Sequence, residues 1–196
     1  TTLFRSNYVN EKKNIYILGA GSNTLFRDSG FDGVIIKLGK SFAYTKLLNE
    51  NKIEVGAATL DKTVSEFASE NSISGLEFLS CIPGSIGGAI RMNSGCYGYD
   101  ISKVFLSLKA MNLRGELKSF NKEEIKFIYR GTNLPEDLIV LSVVLQGESG
   151  KKNNIKDKQI SLINKKKESQ PSKVKTCGST FKNPKNKKAW ELIRSS

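Results

Sequence analysis

The 196-residue sequence predicts an α+β protein on three observations. Short runs rich in β-branched residues, IYIL, GVIIKL and LIVLSVVLQG, have the length and composition of strands. The segment that begins at Leu60 repeats apolar residues at helical spacing, and a Lys-rich segment at about 154–168 reads as another amphipathic helix. Glycine-dense stretches at 19–33 and 75–100 have no sustained period and read as folded loops. A chain of this length can bury a sizeable core as one domain or two small ones.

In chain order, NIYILGAGSN reads as a strand that ends in a glycine turn, GVIIKL as a second strand and KIEVGAA as a third. Leu60, Val64, Phe67 and Ala68 mark one helix face, with Thr59 as the expected N-cap and Asn71 near the end. The stretch 75–100 is expected to be a loop system wrapped around something, or a pair of tight turns with a short helix. VFLSLKAMNLRGELKSF reads as two strands joined at Arg114 and Gly115. Asn121 with Glu124 three residues on has the form of a capping box and predicts a short helix. LIVLSVVLQG, nearly all apolar, is a buried strand. After Gly147 a linker leads into the Lys-rich helix, whose expected apolar anchors are Ile155, Ile160, Leu162 and Ile163, and a last helix begins near Ala189.

Composition excludes several kinds of chemistry. The chain has no His, so imidazole serves neither as general base nor as metal ligand. Cys81, Cys96 and Cys177 are isolated, which fits a reducing compartment, predicts a cytoplasmic location and gives no thiolate metal site. No apolar run has the length of a membrane span, and none is expected. Nearly all the basic excess is local: thirteen lysines lie between Lys151 and Lys188, with only Asp157 and Glu168 against them. Such a cluster suits a polyanionic partner. Nucleic acid is one such partner, but the segment has few aromatics for base stacking.

The glycine motifs carry the chemistry. GAGSNT supplies Gly19 and Gly21 of a Rossmann Gly-x-Gly-x-x-Gly, but the third position is Thr24, and no amphipathic helix follows before the next strand. A dinucleotide loop of that kind is therefore not expected. Taken alone, the stretch is either a plain turn or an anion nest in which backbone N–H groups turn inward beside Ser22 and Asn23. The second cluster, IPGSIGGA, favours the nest. Pro83 stiffens its approach, and Gly84, Ser85, Gly87 and Gly88 offer N–H groups and a hydroxyl at a helix start. Two separated Gly/Ser clusters suit a ligand with two phosphates.

Four motifs, GAGSNTLFRDSGFDGVIIKL, GLEFLSCIPGSIGGAIRMNSGCYG, YRGTNLPEDLIVLSVVLQG and GSTFKNPKNKKAWELI, occur in the order and with spacing similar to those of the UDP-N-acetylenolpyruvoylglucosamine reductases of bacterial cell-wall synthesis. The sequence resembles that family over nearly its whole length. The resemblance implies the FAD-binding fold of the vanillyl-alcohol-oxidase/PCMH type. It places an FAD-binding domain of two subdomains at 1–147, the Lys-rich connecting helix at 148–170 and the start of a substrate-binding domain at 171–196. It also implies a chain shorter than its relatives at both ends.

Further implications of the resemblance concern particular residues. Gly19, Gly21, Ser22 and Asn23, with Pro83, Gly84, Ser85, Gly87 and Gly88, would cradle the FAD pyrophosphate, and Asn93, Gly95 and Gly98 would run near the flavin. Arg130 matches a catalytic Arg and Ser179 a proton donor, while Lys167, Lys182 and Asn183 match substrate-binding positions. Thr132 departs from the family's usual YRxS pattern. The implied reaction uses NADPH to reduce the enolpyruvyl ether of UDP-N-acetylglucosamine, in a monomer with neither membrane nor nucleic acid as partner. A third catalytic residue of the family, a Glu, follows a further stretch of chain, and neither Glu191 nor another acid takes its place. The competing expectation is thus a non-catalytic remnant of the family.

Overall fold

The computed structural model describes residues 14–170 and 181–196. Its first half contains β1 (Ile15–Leu18), β2 (Val34–Lys37), β3 (Thr45–Asn49), β4 (Lys52–Gly56), α1 (Asp61–Glu70), β5 (Ile73–Ser74), a 3-10 segment (Glu77–Cys81) and α2 (Ile86–Met92). There follow β6 (Gly95–Cys96), β7 (Tyr99–Asp100), α3 (Ile101–Val104), β8 (Phe105–Met111) and β9 (Leu117–Asn121). The remainder is β10 (Phe127–Ile128), β11 (Gly131–Thr132), β12 (Ile139–Gln146), β13 (Glu148–Ser149), α4 (Lys152–Ser169) and α5 (Ala189–Arg194).

The centre is a five-stranded antiparallel sheet in the order β3-β4-β12-β8-β9. Its inner face is a set of cross-strand rows. Val143 on β12 opposes Val55 on one side and Leu108 on the other, and Leu108 opposes Phe120. Leu145 likewise lies between Ile53 and Phe105. Two bulges keep these rows on one face. Leu141 is skipped between the Val140–Ala110 and Ser142–Lys109 pairs, so Val140 and Val143 both turn inward although three residues apart. The skipped Leu106 does the same for Phe105 and Leu108 on β8.

α2 packs on β4 and β12 and contributes Ile86, Ala89 and Ile90 to the core. α1 and α4 pack on the 3-10 segment, which inserts Phe78 and Leu79. Helix α4 departs from its predicted anchoring. Ile155 is buried, but Ile160 is exposed, because five residues rotate it about 140° away around the helix. Gln159 is buried instead, its amide donating to the carbonyl and hydroxyl of Ser65 at 2.8 and 2.7 Å. The preceding residue, Lys158, lies 3.4 Å from the buried Glu77 carboxylate.

Two smaller expectations also change. Asn121 and Glu124 do make reciprocal bonds, each backbone N–H donating to the other's side chain at 2.8 and 3.3 Å, but they close a turn and no helix follows. The chain is taken over at once by tertiary structure: Ile125 enters the core, and the Lys126 N–H donates to the Asn133 side chain. Thr59 does not cap α1. Its hydroxyl donates to the Tyr44 carbonyl at 3.0 Å, and Leu60 occupies the N-cap position without a side-chain bond. The edge strand β3 carries no strong pattern of its own and is formed by pairing with β4.

Leu108 sits between Val143 and Phe120 at the middle of the sheet. Leu108→Ala is expected to cost about 3 kcal/mol, read as a lower urea midpoint with unchanged slope.

Candidate functional site

The 19–23 loop leaves β1 and is held to it by the Tyr16 hydroxyl, 3.1 Å from Thr24 Oγ1. Thr24, the residue that breaks the Rossmann pattern, is thus a fastening point. No helix follows it: Tyr16, Phe26 and Phe31 cluster with ring centroids 5.9 to 6.5 Å apart, and the chain returns as β2, parallel to β1. Gly21 has φ of 81°, a conformation open mainly to glycine. The only backbone bond within the loop among the described residues runs from the Thr24 N–H to the Gly21 carbonyl, 3.4 Å. The N–H groups from Ala20 to Asn23 have no backbone acceptor among the described residues, which suits them to an anion.

The 83–88 loop lies directly against it. A Cβ on Gly19 would come within 2.8 Å of Ser85 Oγ, and one on Gly84 within 3.7 Å of Ser22 Oγ. Two clusters separated by more than sixty residues thus close one cradle, and glycine is what permits the approach.

The second loop is used differently from the sequence expectation. The Ile86 N–H donates to the Thr59 carbonyl and the Gly87 N–H to the Ala57 carbonyl, each at 2.9 Å. These two groups secure α2 to the exit of β4 and are not available to an anion. Ser85 and Gly88 N–H groups have no such backbone acceptor among the described residues. Gly87 acts by its size, since a Cβ there would stand 3.1 Å from the Cβ and carbonyl oxygen of Ala57.

At its other end α2 reaches the Arg130 region. Asn93, its C-cap, has left-handed φ and ψ of 43° and 52°. Its amide donates to the Ile128 carbonyl at 3.4 Å, and its carbonyl oxygen accepts from the Ser102 N–H at 3.1 Å. Arg91 adds bonds from its guanidinium to the Leu134 and Leu138 carbonyls. These contacts hold the β10–β11 hairpin, at whose tip Arg130 adopts φ of 57°. That conformation costs a non-glycine residue about 1 kcal/mol or more and marks the tip as constrained. The Arg130 guanidinium stands 5.6 Å from the Tyr129 ring centre. Seven residues of helix separate the cradle from this hairpin, about 10 Å along the axis.

The β6–β7 hairpin follows α2 and packs on the 3-10 segment. Tyr97 and Gly98 have φ of 53° and 82°, the paired positive values of a tight two-residue turn. Gly95 allows close strand contact, because a Cβ would lie 2.2 Å from the Tyr99 carbonyl oxygen. Burial pushes the neighbouring Cys96 thiol up to about 12, so it stays protonated at neutral pH.

The last turns of α4 bring lysines to the same side. Lys166 donates to the Cys81 carbonyl and Lys165 lies 4.8 Å over the Tyr97 ring, with Lys167 exposed beside them. From the other direction the Asn183 N–H donates to the Tyr129 hydroxyl at 3.4 Å, while Asn183 Oδ1 accepts from the Ala189 N–H and caps α5. Lys182 is exposed next to it. Ser179 lies outside the described residues.

Sequence reasoning missed Asp61. It is fully buried, neither carboxyl oxygen has a hydrogen-bond partner among the described residues, and burial raises its pKa to about 8. Aspartate in the first turn of a helix is ordinary and gives no sign of burial. Tyr129 was equally unmarked, its hydroxyl contact with Asn183 being a tertiary one.

The chain is of the FAD-binding class: the FAD binding domain family matches residues 6–121, more than half of the chain. The chain is 47% identical over 189 residues to the UDP-N-acetylenolpyruvoylglucosamine reductase of Pelagibacter ubique, covering 95% of this chain and 63% of that one. It is 45% identical over 183 residues to the enzyme of the same name from a Wolbachia of Drosophila simulans, covering 93% of this chain and 62% of the other. The crystal structure of the corresponding reductase from Thermus caldophilus superposes with a TM-score of 0.82 at 31% identity, over 97% of this chain and 70% of that one. The chain belongs to the UDP-N-acetylenolpyruvoylglucosamine reductase family, with the FAD-binding fold expected from its motifs. It spans just under two thirds of the length of these two curated relatives.

Asp61 gives a prediction for pH. In the unfolded chain its carboxyl ionises from the ordinary value of 3.8, but in the folded chain only near 8. Its contribution is therefore fully present below about pH 4 and is lost as pH rises through about 8. Against Asp61→Asn, the wild-type melting temperature should fall by about 3 °C per pH unit between pH 5 and 8, with a constant gap above. Thermal melts of both proteins across that range check this.

Proposed function

We propose that this chain carries out the FAD-dependent reduction of the enolpyruvyl ether of UDP-N-acetylglucosamine to UDP-N-acetylmuramate, with NADPH as hydride donor, in the cytoplasm. The observation that carries the reading is the closure of the 19–23 and 83–88 loops into one cradle, joined by a single short helix to the Arg130 hairpin. The cradle fits a diphosphate: N–H groups from Ala20 to Asn23 with no backbone acceptor among the described residues, the side chains of Ser22 and Asn23, and glycines at the points of closest approach. Bound there, FAD supplies hydride transfer between NADPH and the enolpyruvyl group.

The protein's own contribution is orientation and charge. Arg130 is permanently cationic and offers a planar fork suited to a carboxylate, so it would hold the enolpyruvyl carboxylate and stabilise charge as the enolate-like intermediate forms. Its backbone constraint and the Asn93 and Arg91 contacts behind the hairpin limit where that fork can stand. Lys167 and Lys182, both exposed, would meet the substrate's phosphates, with Asn183 at the nucleotide end. Ser179 is the proposed proton donor. A lone serine hydroxyl is a weak acid, so it requires a neighbour that accepts or stabilises its charge.

Protein reconstituted with FAD is expected to be yellow and to oxidise NADPH in step with added enolpyruvyl substrate. A preparation left colourless after reconstitution contradicts the reading. Arg130→Ala should bind FAD like the wild type while turnover falls by about 10²-fold to 10³-fold. Loss of FAD binding in that variant would instead place Arg130 in the frame of the cofactor site.

A further inference from the structure

One buried ionisable group has no part in the reaction described above. Asp61, the first residue of α1, lies immediately behind the cradle. Its Oδ2 is 2.7 Å from the point where a Gly84 Cβ would stand, and the same point is 3.7 Å from Ser22 Oγ. The Asp61 N–H donates to the Gly84 carbonyl at 3.1 Å, which fixes the start of α1 to the second loop. The carboxyl thus fills the space that the missing side chain of Gly84 leaves, at the line where the two loops meet. Both its oxygens are buried and unpartnered among the described residues. Uncharged, such a group is a modest desolvation cost; as a carboxylate it is an isolated negative charge behind the groups that would receive a diphosphate.

Among the described residues no charge on a neighbouring element neutralises it. Segments 19–24, 57–60 and 82–85 contain no titratable side chain. Lys62, next to it on α1, turns outward and pairs with Glu66 at 3.5 Å. On α2 the Arg91 guanidinium is engaged at the far end by the Leu134 and Leu138 carbonyls. Lys166 of α4 donates to the Cys81 carbonyl, and Cys81 itself is a buried free thiol. Arg27 and Asp28 are exposed in the loop beyond Thr24. The amino end of α1 favours a negative charge, but burial outweighs it.

We propose that Asp61 is a protonation-controlled positioning residue of the cofactor cradle: uncharged, it lets the 19–23 and 83–88 loops close on the FAD diphosphate, and ionised, it weakens that closure by repulsion from behind. The proposal rests on the FAD reading above and adds a control on cofactor retention. Burial places the ionisation at about pH 8, so the effect falls in an accessible range.

The test is a titration of FAD into ligand-free wild type and Asp61→Asn, followed by flavin fluorescence between pH 7 and 9. The wild-type dissociation constant is expected to rise about tenfold across that range, while that of the variant changes less than about twofold. A flat wild-type profile, or an equal slope in the two proteins, overturns the proposal. The wild-type profile decides the matter even where the variant does not fold. Absence of FAD binding to either protein at every pH overturns the cofactor reading together with the proposal, and is distinct from pH-independent binding, which overturns only the role of Asp61.

Discussion

The site depends on a short backbone zipper. Ala57, Thr59 and Asp61, just past the end of β4, exchange hydrogen bonds with Gly87, Ile86 and Gly84 at 2.9, 2.9 and 3.1 Å. This zipper joins the central sheet to the start of α2, and it needs residues without a Cβ at both contact points, since Gly84 abuts Asp61 and Gly87 abuts Ala57. Once α2 is fixed, both of its ends are placed. The amino end sets the second loop against Ser22 and Gly19, and the carboxyl end sets Asn93 and Arg91 beneath the Arg130 hairpin. A shift of α2 would disturb the cradle and the Arg130 hairpin together.

Much of this was legible in the sequence because the signals are local. IYIL, KIEVGAA and LIVLSVVLQG carry strand composition, and Leu60, Val64, Phe67 and Ala68 mark α1, so those elements form where the pattern places them. The failure of the Rossmann fingerprint at Thr24 was also readable, and its cause is now visible in the Tyr16 fastening and the aromatic cluster that stands where a helix would. The sequence marked the glycines as sources of inward-turned N–H groups; the close approaches at Gly19, Gly84 and Gly87 are seen only in the structure. Their division of labour was not legible, because Gly87 donates its N–H to Ala57 and so serves the frame.

What the sequence concealed is tertiary and mostly polar. A capping box at Asn121 and Glu124 formed its bonds but yielded to the demand of the core for Ile125. The docking of α4 relies on Gln159 and Lys158 in place of Ile160, and polar residues on a helix give no pattern that distinguishes a buried anchor from a solvated one. The consequence is functional, because this docking carries Lys165 and Lys166 to the Tyr97 ring and the Cys81 carbonyl. The basic excess noted in the composition is therefore placed in part beside the cradle, where polyanionic ligands would meet it.

Two distant loops that act as one diphosphate cradle would use the N–H groups left without a backbone acceptor among the described residues. Amide hydrogen exchange with and without saturating FAD measures this directly. Gly21, Ser22, Asn23, Ser85 and Gly88 are expected to gain protection together, whereas Ile86 and Gly87, already bonded to Thr59 and Ala57, change little. Protection confined to one loop, or appearing instead at Ile86 and Gly87, would contradict it.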